Sequence, residues 1–370
     1  MSNFDLPKLY VLIFFIVLSS LFTCALYGVS GDLDSFSNLG KGLKISLVLL
    51  AFAISFAMLA LAVSENVHRN VKHLVYFILL IHVFIFMCFI TLSFLKIIGV
   101  KINMFRATFY ILIFNFCLYF CGFINKFLIR RTNYSIITEK NINLRIAFIS
   151  DLHLGAAWSS ARLLEKIVSV INDSKSDLVL LGGDIIEAKL NLQNSQKYAE
   201  IISSLKSKLG TYAILGNHEY YIGNVEKIID FLEKECSIRV LLDEFLKIGE
   251  NLILIGRTDG GHRRAAIRKN MDKIIGDVKN GNNFLLVLDH SPKYFNEAVL
   301  NGVDLQLSGH THNGQFFPFN LLVKFFYEKP YGKLEKQGST LITSSGVGTW
   351  GPPIKLFSKP EVMVVDIKNK

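Results

Sequence analysis

Cysteine is scarce in this chain, which has 5 cysteines in 370 residues. Four of them, Cys24, Cys88, Cys117 and Cys121, lie in long apolar runs, so that Cys236 alone belongs to the polar remainder. The polar part therefore cannot form an internal disulfide, and a disulfide scaffold is excluded. This composition is consistent with a reducing compartment.

The excess of positive over negative charge is also small. The chain contains no internal repeat or low-complexity segment. Charged residues make up 19% of the chain, and the formal net charge is +10. The surplus in the polar part is too small to indicate nucleic-acid binding, so we expect no nucleic-acid partner. It is compatible with an anionic substrate or an anionic lipid surface.

Apolar residues are concentrated in the first part of the chain. Four runs, 9–29, 43–63, 74–98 and 107–128, reach the roughly 20 residues that a helix needs to cross a bilayer. They predict a four-helix transmembrane anchor over residues 1–130, and therefore a multi-pass protein of the cell inner membrane. His82 is the one ionisable residue deep in a span, which favours an anchor over a channel. Lys126 lies at the end of the fourth run, and Arg130 and Arg131 follow it. This basic cluster predicts a cytoplasmic C-terminal domain.

Residues 143–370 have the composition of a globular domain, joined to the anchor by a predicted linker at 131–142. Short β-rich runs alternate there with amphipathic stretches, a pattern that predicts an α/β domain around a buried sheet. Polar side chains follow five of these predicted strands, and such strand ends usually share one crevice of an α/β sheet. They are Asp151, His153, Asp184, Asn217, His218, Glu219, His290, His310 and His312.

Carboxylate, imidazole and amide groups are ligands for divalent cations of intermediate hardness. The set has no thiolate, unlike a structural zinc site. Its seven potential ligands exceed the needs of one ion, whereas two ions sharing Asp184 would use them all: Asp151, His153, Asp184, Asn217, His290, His310 and His312. Two ions ~3.5–4 Å apart suit phosphoryl chemistry. Each motif alone has a plainer interpretation, such as a capped strand end or a turn, but their joint order favours the metal site.

These motifs resemble the calcineurin-like metallophosphoesterase superfamily, and in particular its bacterial membrane-associated branch. The matching segments are 149–153 (ISDLH), 183–184 (GD), 216–219 (GNHE), 290–292 (HSP), 309–312 (GHTH) and 346–353 (GVGTWGPP). The resemblance covers residues 143–370 and implies a four-layer α/β/β/α sandwich. One departure is Asn313, where the branch commonly has glycine; asparagine tolerates the left-handed backbone angles of such a turn.

The resemblance also implies how the residues divide the work. One metal would take Asp151, His153, Asp184 and His312, and the other Asp184, Asn217, His290 and His310. His218 would stabilise phosphate oxygens or protonate the leaving group, with Glu219 orienting its imidazole. Manganese is the expected metal, with iron, zinc and magnesium as alternatives.

Three functions remain open from the sequence. The leading hypothesis is a membrane-anchored hydrolase of a phosphate ester or diphosphate bond in a lipid-linked substrate. The alternatives are a tethered phosphodiesterase or phosphatase of soluble nucleotides, and a non-catalytic membrane scaffold. The complete ligand set disfavours the scaffold.

Two further segments have alternative interpretations. A basic cluster after a predicted strand either binds a substrate phosphate or forms a solvated helix face; it comprises Arg257, His262, Arg263, Arg264 and Arg268. The aromatic segment 316–336 either lines a groove or contacts a bilayer, or packs on its own domain.

Overall fold

The structure is a computed structural model that describes residues 98–100, 104–156, 159–187, 192–260, 268–276, 278 and 282–370. The chain divides into two units, Met1–Phe120 and Cys121–Lys370. The second unit contains the strands and nearly all of the helices described below.

The predicted membrane region is not supported. Within the described ranges, no helix is both long enough and apolar enough to cross a membrane. This finding contradicts the predicted N-terminal four-helix transmembrane region and the assignment to the inner membrane as a multi-pass protein. The predicted spans 9–29 and 43–63 lie outside the described residues, as does 74–98 except for its last residue.

The predicted fourth span, 107–128, corresponds to helix α1, Met104–Asn125. Its last turn is fixed by the domain that follows. The Asn125 amide donates hydrogen bonds to the carbonyl oxygens of Lys355 and Ser358 at 2.8 and 2.9 Å, and Lys355 N donates to the Gly122 carbonyl at 3.0 Å.

The first sheet has six strands in the order β1-β12-β2-β3-β4-β5. Their bounds are β1 Arg130–Thr138, β2 Leu144–Ile149, β3 Leu178–Gly182, β4 Thr211–Ile214, β5 Arg239–Val240 and β12 Glu361–Asn369. Strands β2 to β5 are parallel, whereas β12 runs antiparallel to β2 and parallel to β1. Residues 131–142 were predicted to be a linker, but most of them form β1, an edge strand of this sheet.

The second sheet also has six strands, in the order β10-β11-β9-β8-β7-β6. Their bounds are β6 Glu244–Ile248, β7 Leu252–Gly256, β8 Phe284–Leu288, β9 Leu305–Ser308, β10 Gly332–Lys336 and β11 Ser339–Thr343. The four central strands are parallel, and the edge strands β6 and β10 are antiparallel to their neighbours.

The remaining helices connect these strands. They are α2 Ala161–Asp173, α3 Leu192–Ile202, α4 Asn217–Ile222, α5 Val225–Asp230, α6 Met271–Ile275, α7 Phe295–Leu300 and α8 Phe319–Phe326. The sequence explains α2 well: the Ser160 side chain accepts a hydrogen bond from Leu163 N and caps the helix. Its apolar side chains recur at helical spacing, so one face is buried.

The two sheets pack face to face. Phe148 and Leu180 of the first sheet and Leu254 and Leu286 of the second belong to one fully buried apolar layer. Alternate residues of the same strands point outward into two further apolar clusters with the helices. Both faces of both sheets are therefore covered, which explains why the central strands are continuous apolar runs. The predicted α/β sandwich is confirmed, although its predicted membrane region is not.

Candidate metal centre

The nine predicted site residues lie beyond the carboxyl ends of strands from both sheets. Asp151 and His153 follow β2, Asp184 follows β3, and Asn217 to Glu219 begin α4 after β4. From the second sheet, His290 follows β8, and His310 and His312 follow β9. The sandwich thus brings together residues that are far apart in the sequence, at one edge where both sheets end.

One cluster is formed by Asp151, His153 and His312, all of which are buried. Nε2 of His153 lies 3.1 Å from Nε2 of His312, and Nε2 of His312 lies 3.3 Å from Oδ1 of Asp151. One ligand atom from each residue lies within 4.8 Å of the others.

A second cluster is formed by Asp184, His290 and His310, again with ligand atoms within 4.8 Å of one another. Nε2 of His290 lies 3.1 Å from Oδ2 of Asp184 and 3.2 Å from Nδ1 of His310. Asn217 joins this cluster, because its Oδ1 lies 2.8 Å from Nδ1 of His310.

The donor atoms of both clusters fit divalent cations. Imidazole nitrogens face each other in pairs at 3.1 and 3.2 Å, and each pair has a buried carboxylate beside it. Nδ1 of His290 donates a hydrogen bond to the Gly182 carbonyl oxygen at 2.7 Å. Its other ring nitrogen, Nε2, therefore points to the cluster as a potential ligand. A second nitrogen fixed by a protein oxygen is typical of metal-binding histidines.

The backbone of the site is strained. Asp151, His153, Asp184, His310 and His312 all have positive φ angles, between 49° and 68°. Non-glycine residues adopt this region infrequently, and such conformations concentrate at functional sites. The neighbouring Asn313 is also left-handed, with φ 50° and ψ 37°, so the departure from glycine at this position is accommodated as expected.

Glycine is required where the chain passes closest to the clusters. A Cβ atom on Gly216 would lie against Oδ1 of Asp184, and 2.7 Å from Nε2 of His290. A Cβ atom on Gly183 would lie 2.7 Å from Nδ1 of the same histidine. The glycines of the two motifs therefore make room for their polar neighbours.

Glu187 is a site residue that the sequence analysis missed. Its Oε2 lies 2.7 Å from Nδ1 of His153 and 2.6 Å from Nδ1 of His218. One carboxylate thus fixes two imidazole rings. The sequence indicated Glu187 only weakly, through its position in the same loop as Asp184. A single acidic residue in a loop forms no motif with distinctive spacing.

Glu219 does not have the predicted role of orienting His218. Its fully buried carboxylate accepts hydrogen bonds from the backbone N–H groups of Asp184, Ile186 and Gly216, at 3.1, 2.8 and 2.8 Å. It therefore shapes the loop that presents Asp184, and Glu187 holds the imidazole of His218 instead.

Electrostatics at the site are dominated by burial and by paired charges. Burial alone lowers the pKa of His218, but the carboxylates of Glu187 and Asp184 outweigh it and raise this pKa to about 9. Burial raises the pKa of Glu187, and the opposing charge of His218 brings it to about 2. Burial raises the pKa of Glu219 to about 7, with a further contribution from Asp184.

The basic cluster is not a free phosphate site where the structure describes it. Arg257 is fully buried, with ion pairs to Asp243 and Glu297 at 3.0 and 3.1 Å. Arg268 pairs with Asp289 at 2.5 Å and stacks over the Tyr294 ring. Both arginines therefore stabilise the domain. His262, Arg263 and Arg264 lie outside the described residues.

The aromatic segment 316–336 contains helix α8, which has no buried residue. Phe325 and Phe326 are 84% and 77% exposed. The next residue, Tyr327, has its ring 6.0 Å from that of His310. Two exposed aromatic side chains therefore directly precede, in the sequence, a ring that packs against the second cluster.

Comparisons with known proteins agree with this geometry. Residues 144–314 match the family profile of the calcineurin-like phosphoesterases. A metallophosphoesterase of Aquifex aeolicus is 35% identical over 67% of this chain and 95% of its own length. One of Campylobacter jejuni is 33% identical over 62% of this chain and 60% of its own.

A transmembrane protein with metallophosphoesterase domain from Danio rerio is also similar. It is 28% identical over 63% of this chain and 55% of its own length. Residues 144–314, which match the family profile, include both His–Asp clusters. The chain belongs to the family of calcineurin-like metallophosphoesterases, which are metal-dependent phosphoesterases.

Proposed function

We propose that this protein hydrolyses a phosphate ester or diphosphate bond with two divalent metal ions bound at the two clusters. The observation that carries the proposal is the pair of adjacent clusters, each with a buried carboxylate and facing imidazole nitrogens. Asp151, His153 and His312 would hold one ion, and Asn217, His290 and His310 the other. Asp184 would be shared.

When bound, such ions supply positive charge that polarises a phosphate oxygen and activates water. The chain itself contributes a rigid frame, since the ligands come from strand ends of two packed sheets. It also contributes His218, whose Nδ1 is held by Glu187. The opposite nitrogen, Nε2, lies 4.0 Å from Oδ2 of Asp184. From there it can stabilise a phosphate oxygen or give a proton to the leaving oxygen.

We propose further that the substrate carries an apolar chain, as a phosphorylated lipid does. Phe325 and Phe326 are exposed on α8, and Lys324 adds a positive charge on the same helix. Tyr327 connects this surface to the second cluster. Exposed apolar side chains of this size in a group indicate a binding surface. The amphipathic helix would receive the acyl chain while the phosphate enters the clusters.

Enzymatic activity is tested with a generic aryl phosphate ester and its diester, with and without added manganese. We expect metal-dependent turnover and about two bound ions per chain by elemental analysis, as two-metal hydrolysis requires. Active protein that contains a single ion would contradict the two-metal mechanism. Absence of turnover with every metal and ester would favour a scaffold.

The lipid hypothesis is tested by replacing Phe325 and Phe326 with serine. We expect lower turnover of a long-chain lipid phosphate in mixed micelles and unchanged turnover of a short-chain analogue. The matched control is Leu300→Ser, which removes a side chain that is 79% exposed. Leu300 ends α7 and precedes β9, so it lies toward the sheet edge opposite the clusters. If the double variant hydrolyses each of the two substrates as fast as the wild type does, the result would favour a soluble substrate such as a nucleotide.

A further inference from the structure

Asp259 lies near the metal centre but belongs to none of the sequence motifs. It follows β7, which pairs in parallel with β8 so that Gly256 is opposite Leu288. The pairing continues beyond the strands, since Arg257 N donates to the Leu288 carbonyl at 2.9 Å. Asp259 comes two residues after Arg257, and His290 comes two residues after Leu288. Both therefore lie at the same edge of the second sheet.

The Asp259 carboxylate is buried without a complete set of partners. The residue is 2% exposed, and its Oδ2 has no hydrogen-bond partner among the described residues. Two neighbouring buried aspartates differ in this respect. Both oxygens of Asp289 accept from Arg268, and those of Asp243 accept from Thr258 N and Lys269 N. A buried, unpaired carboxylate is costly, so it needs an explanation.

The surroundings of Asp259 are those of the second cluster and its rim. Its negative charge acts on His290 and His310. It also adds to the effect of burial in raising the pKa values of Tyr294 and Tyr327. The next residue, Gly260, lies close to the Tyr294 hydroxyl. A Cβ atom added to Gly260 would be 3.0 Å from the Tyr294 hydroxyl oxygen. The carboxylate thus lies on the side of the centre where Tyr327 contacts His310.

Two ligand classes are disfavoured for this carboxylate. A phosphate group would be repelled by it. A metal ion shared with the centre is also disfavoured, because Asp259 belongs to none of the groups of potential metal ligands in the described ranges. These groups are the two clusters and a third that consists of His153, Glu187 and His218. A carboxylate can only accept hydrogen bonds, so what Oδ2 lacks among the described residues is a donor.

We propose that Asp259 is a specificity residue that accepts a hydrogen bond from a hydroxyl or ammonium group on the alcohol part of the substrate. This inference rests on the proposed phosphoesterase function. The phosphate would be held by the metal centre, and the donor would lie a few atoms away, where Oδ2 is unpaired. The protein would then prefer esters of polyols or amino alcohols to esters of simple alkanols.

The test compares three small phosphate esters of similar size, each supplied as monoester and methyl diester. Glycerol phosphate carries hydroxyls, phosphoethanolamine carries an ammonium, and propyl phosphate carries neither. A buried donor that loses its acceptor costs about 1–3 kcal/mol, which corresponds to roughly 5- to 150-fold. We therefore expect Asp259→Ala to lower kcat/KM for a donor-bearing ester by about tenfold or more, and for propyl phosphate by less than about threefold.

Asp259→Asn distinguishes the two donors. The asparagine amide still has an oxygen that accepts from a hydroxyl, but it has no charge to attract an ammonium. Preference for glycerol phosphate should therefore be partly retained in this variant, whereas preference for phosphoethanolamine should be lost. The matched control is Asp272→Asn on α6, an exposed aspartate, which should leave all three values unchanged.

Stability gives a second readout that a structural role would not produce. An unpaired buried carboxylate opposes folding, so Asp259→Asn should have an equal or higher Tm than the wild type in metal-free buffer. A Tm lower by several degrees, equal losses on all three esters, loss of bound metal, or no change on any ester would each overturn the proposal. If the wild type hydrolyses neither these esters nor an aryl phosphate, the proposed function itself fails. This failure of the proposed function is seen with the wild type alone, so it is distinguished from a failure of the proposal for Asp259.

Discussion

Oε2 of Glu187 lies 2.6 Å from Nδ1 of His218, and the same oxygen lies 2.7 Å from Nδ1 of His153. One carboxylate therefore sets the orientation of a metal-ligand candidate and of the imidazole that would act on the substrate. Carboxylates behind metal-binding histidines typically change metal affinity or activity by about 10- to 100-fold when they are removed.

We accordingly expect Glu187→Gln to weaken metal binding and to lower turnover together. A neutral amide oxygen in the place of Oε2 accepts these two hydrogen bonds more weakly than a carboxylate does, so both rings are held less firmly in their tautomer and orientation. Metal titration and steady-state kinetics on the same preparation check this. Full metal affinity with full activity would show that Glu187 has no such role.

His218→Ala should separate the two effects. His218 is not in the two ligand sets, so turnover should fall by about 10²–10⁴-fold while the metal content stays at the wild-type level. Elemental analysis of the purified variant decides between the interpretations. Loss of an ion would make His218 a ligand.

Asp184→Asn should remove both activity and much of the bound metal. Oδ2 of Asp184 lies 3.1 Å from Nε2 of His290, and its Oδ1 accepts from His218 N at 2.8 Å. An amide keeps the size of the side chain but loses the charge that would offset two cations. A variant that keeps two ions per chain would contradict a shared role for this residue.

Gly216→Ala tests whether close packing at the centre matters as much as the ligands do. Gly216 has φ −99°, which any residue adopts, so the backbone itself accepts alanine. The added Cβ would collide with Asp184 and His290. We expect metal affinity to fall by at least about tenfold with a small change in Tm. Unchanged affinity would mean that these side chains can move aside at little cost.

Lys355 links stability to pH. It is fully buried, and its ammonium donates to the carbonyls of Ser345 and Gly346 at 2.6 and 2.5 Å. Burial lowers its pKa to about 7 from the usual value of 10.5 for a lysine. Above pH 7 the unfolded chain therefore binds a proton that the folded protein does not, so this residue's contribution to stability rises with pH until about 10.5.

The measurement compares wild type and Lys355→Met by urea unfolding from pH 7 to 9. The free energy of unfolding of the wild type, relative to the variant, should rise with pH by up to about 1.4 kcal/mol per unit. A difference that is independent of pH would mean that Lys355 keeps its proton throughout.

Much of the fold could be predicted because its central strands are buried on both faces. Strands β8 and β11, Phe284–Leu288 and Ser339–Thr343, are fully buried and correspond to short β-rich runs of the sequence. Strand β1 could not be predicted in this way. Its sequence, RRTNYSIIT, has mostly exposed or half-buried positions, and a polar edge strand is defined by its partner and not by its own pattern.

The candidate site was predictable to the extent that its residues form motifs. Asp151, Asp184 and His290 stand next to strand ends, where the fold gathers them. Glu187 and Asp259 are single acidic residues in loops, and the sequence does not show what surrounds their carboxylates. The role expected of Glu219 was wrong for the same reason, since only coordinates distinguish a carboxylate that binds backbone N–H groups from one that binds an imidazole.

The position of β12 has a consequence for biosynthesis. Strand Glu361–Asn369 lies between β1 and β2, which are joined to each other by a short connection. While the ribosome is still translating the preceding residues, β1 and β2 have emerged but the strand that separates them has not. The first sheet therefore cannot close during most of elongation. Until β12 is released, its neighbours present unpaired strand edges of the kind that chaperones protect and that pair wrongly when left free.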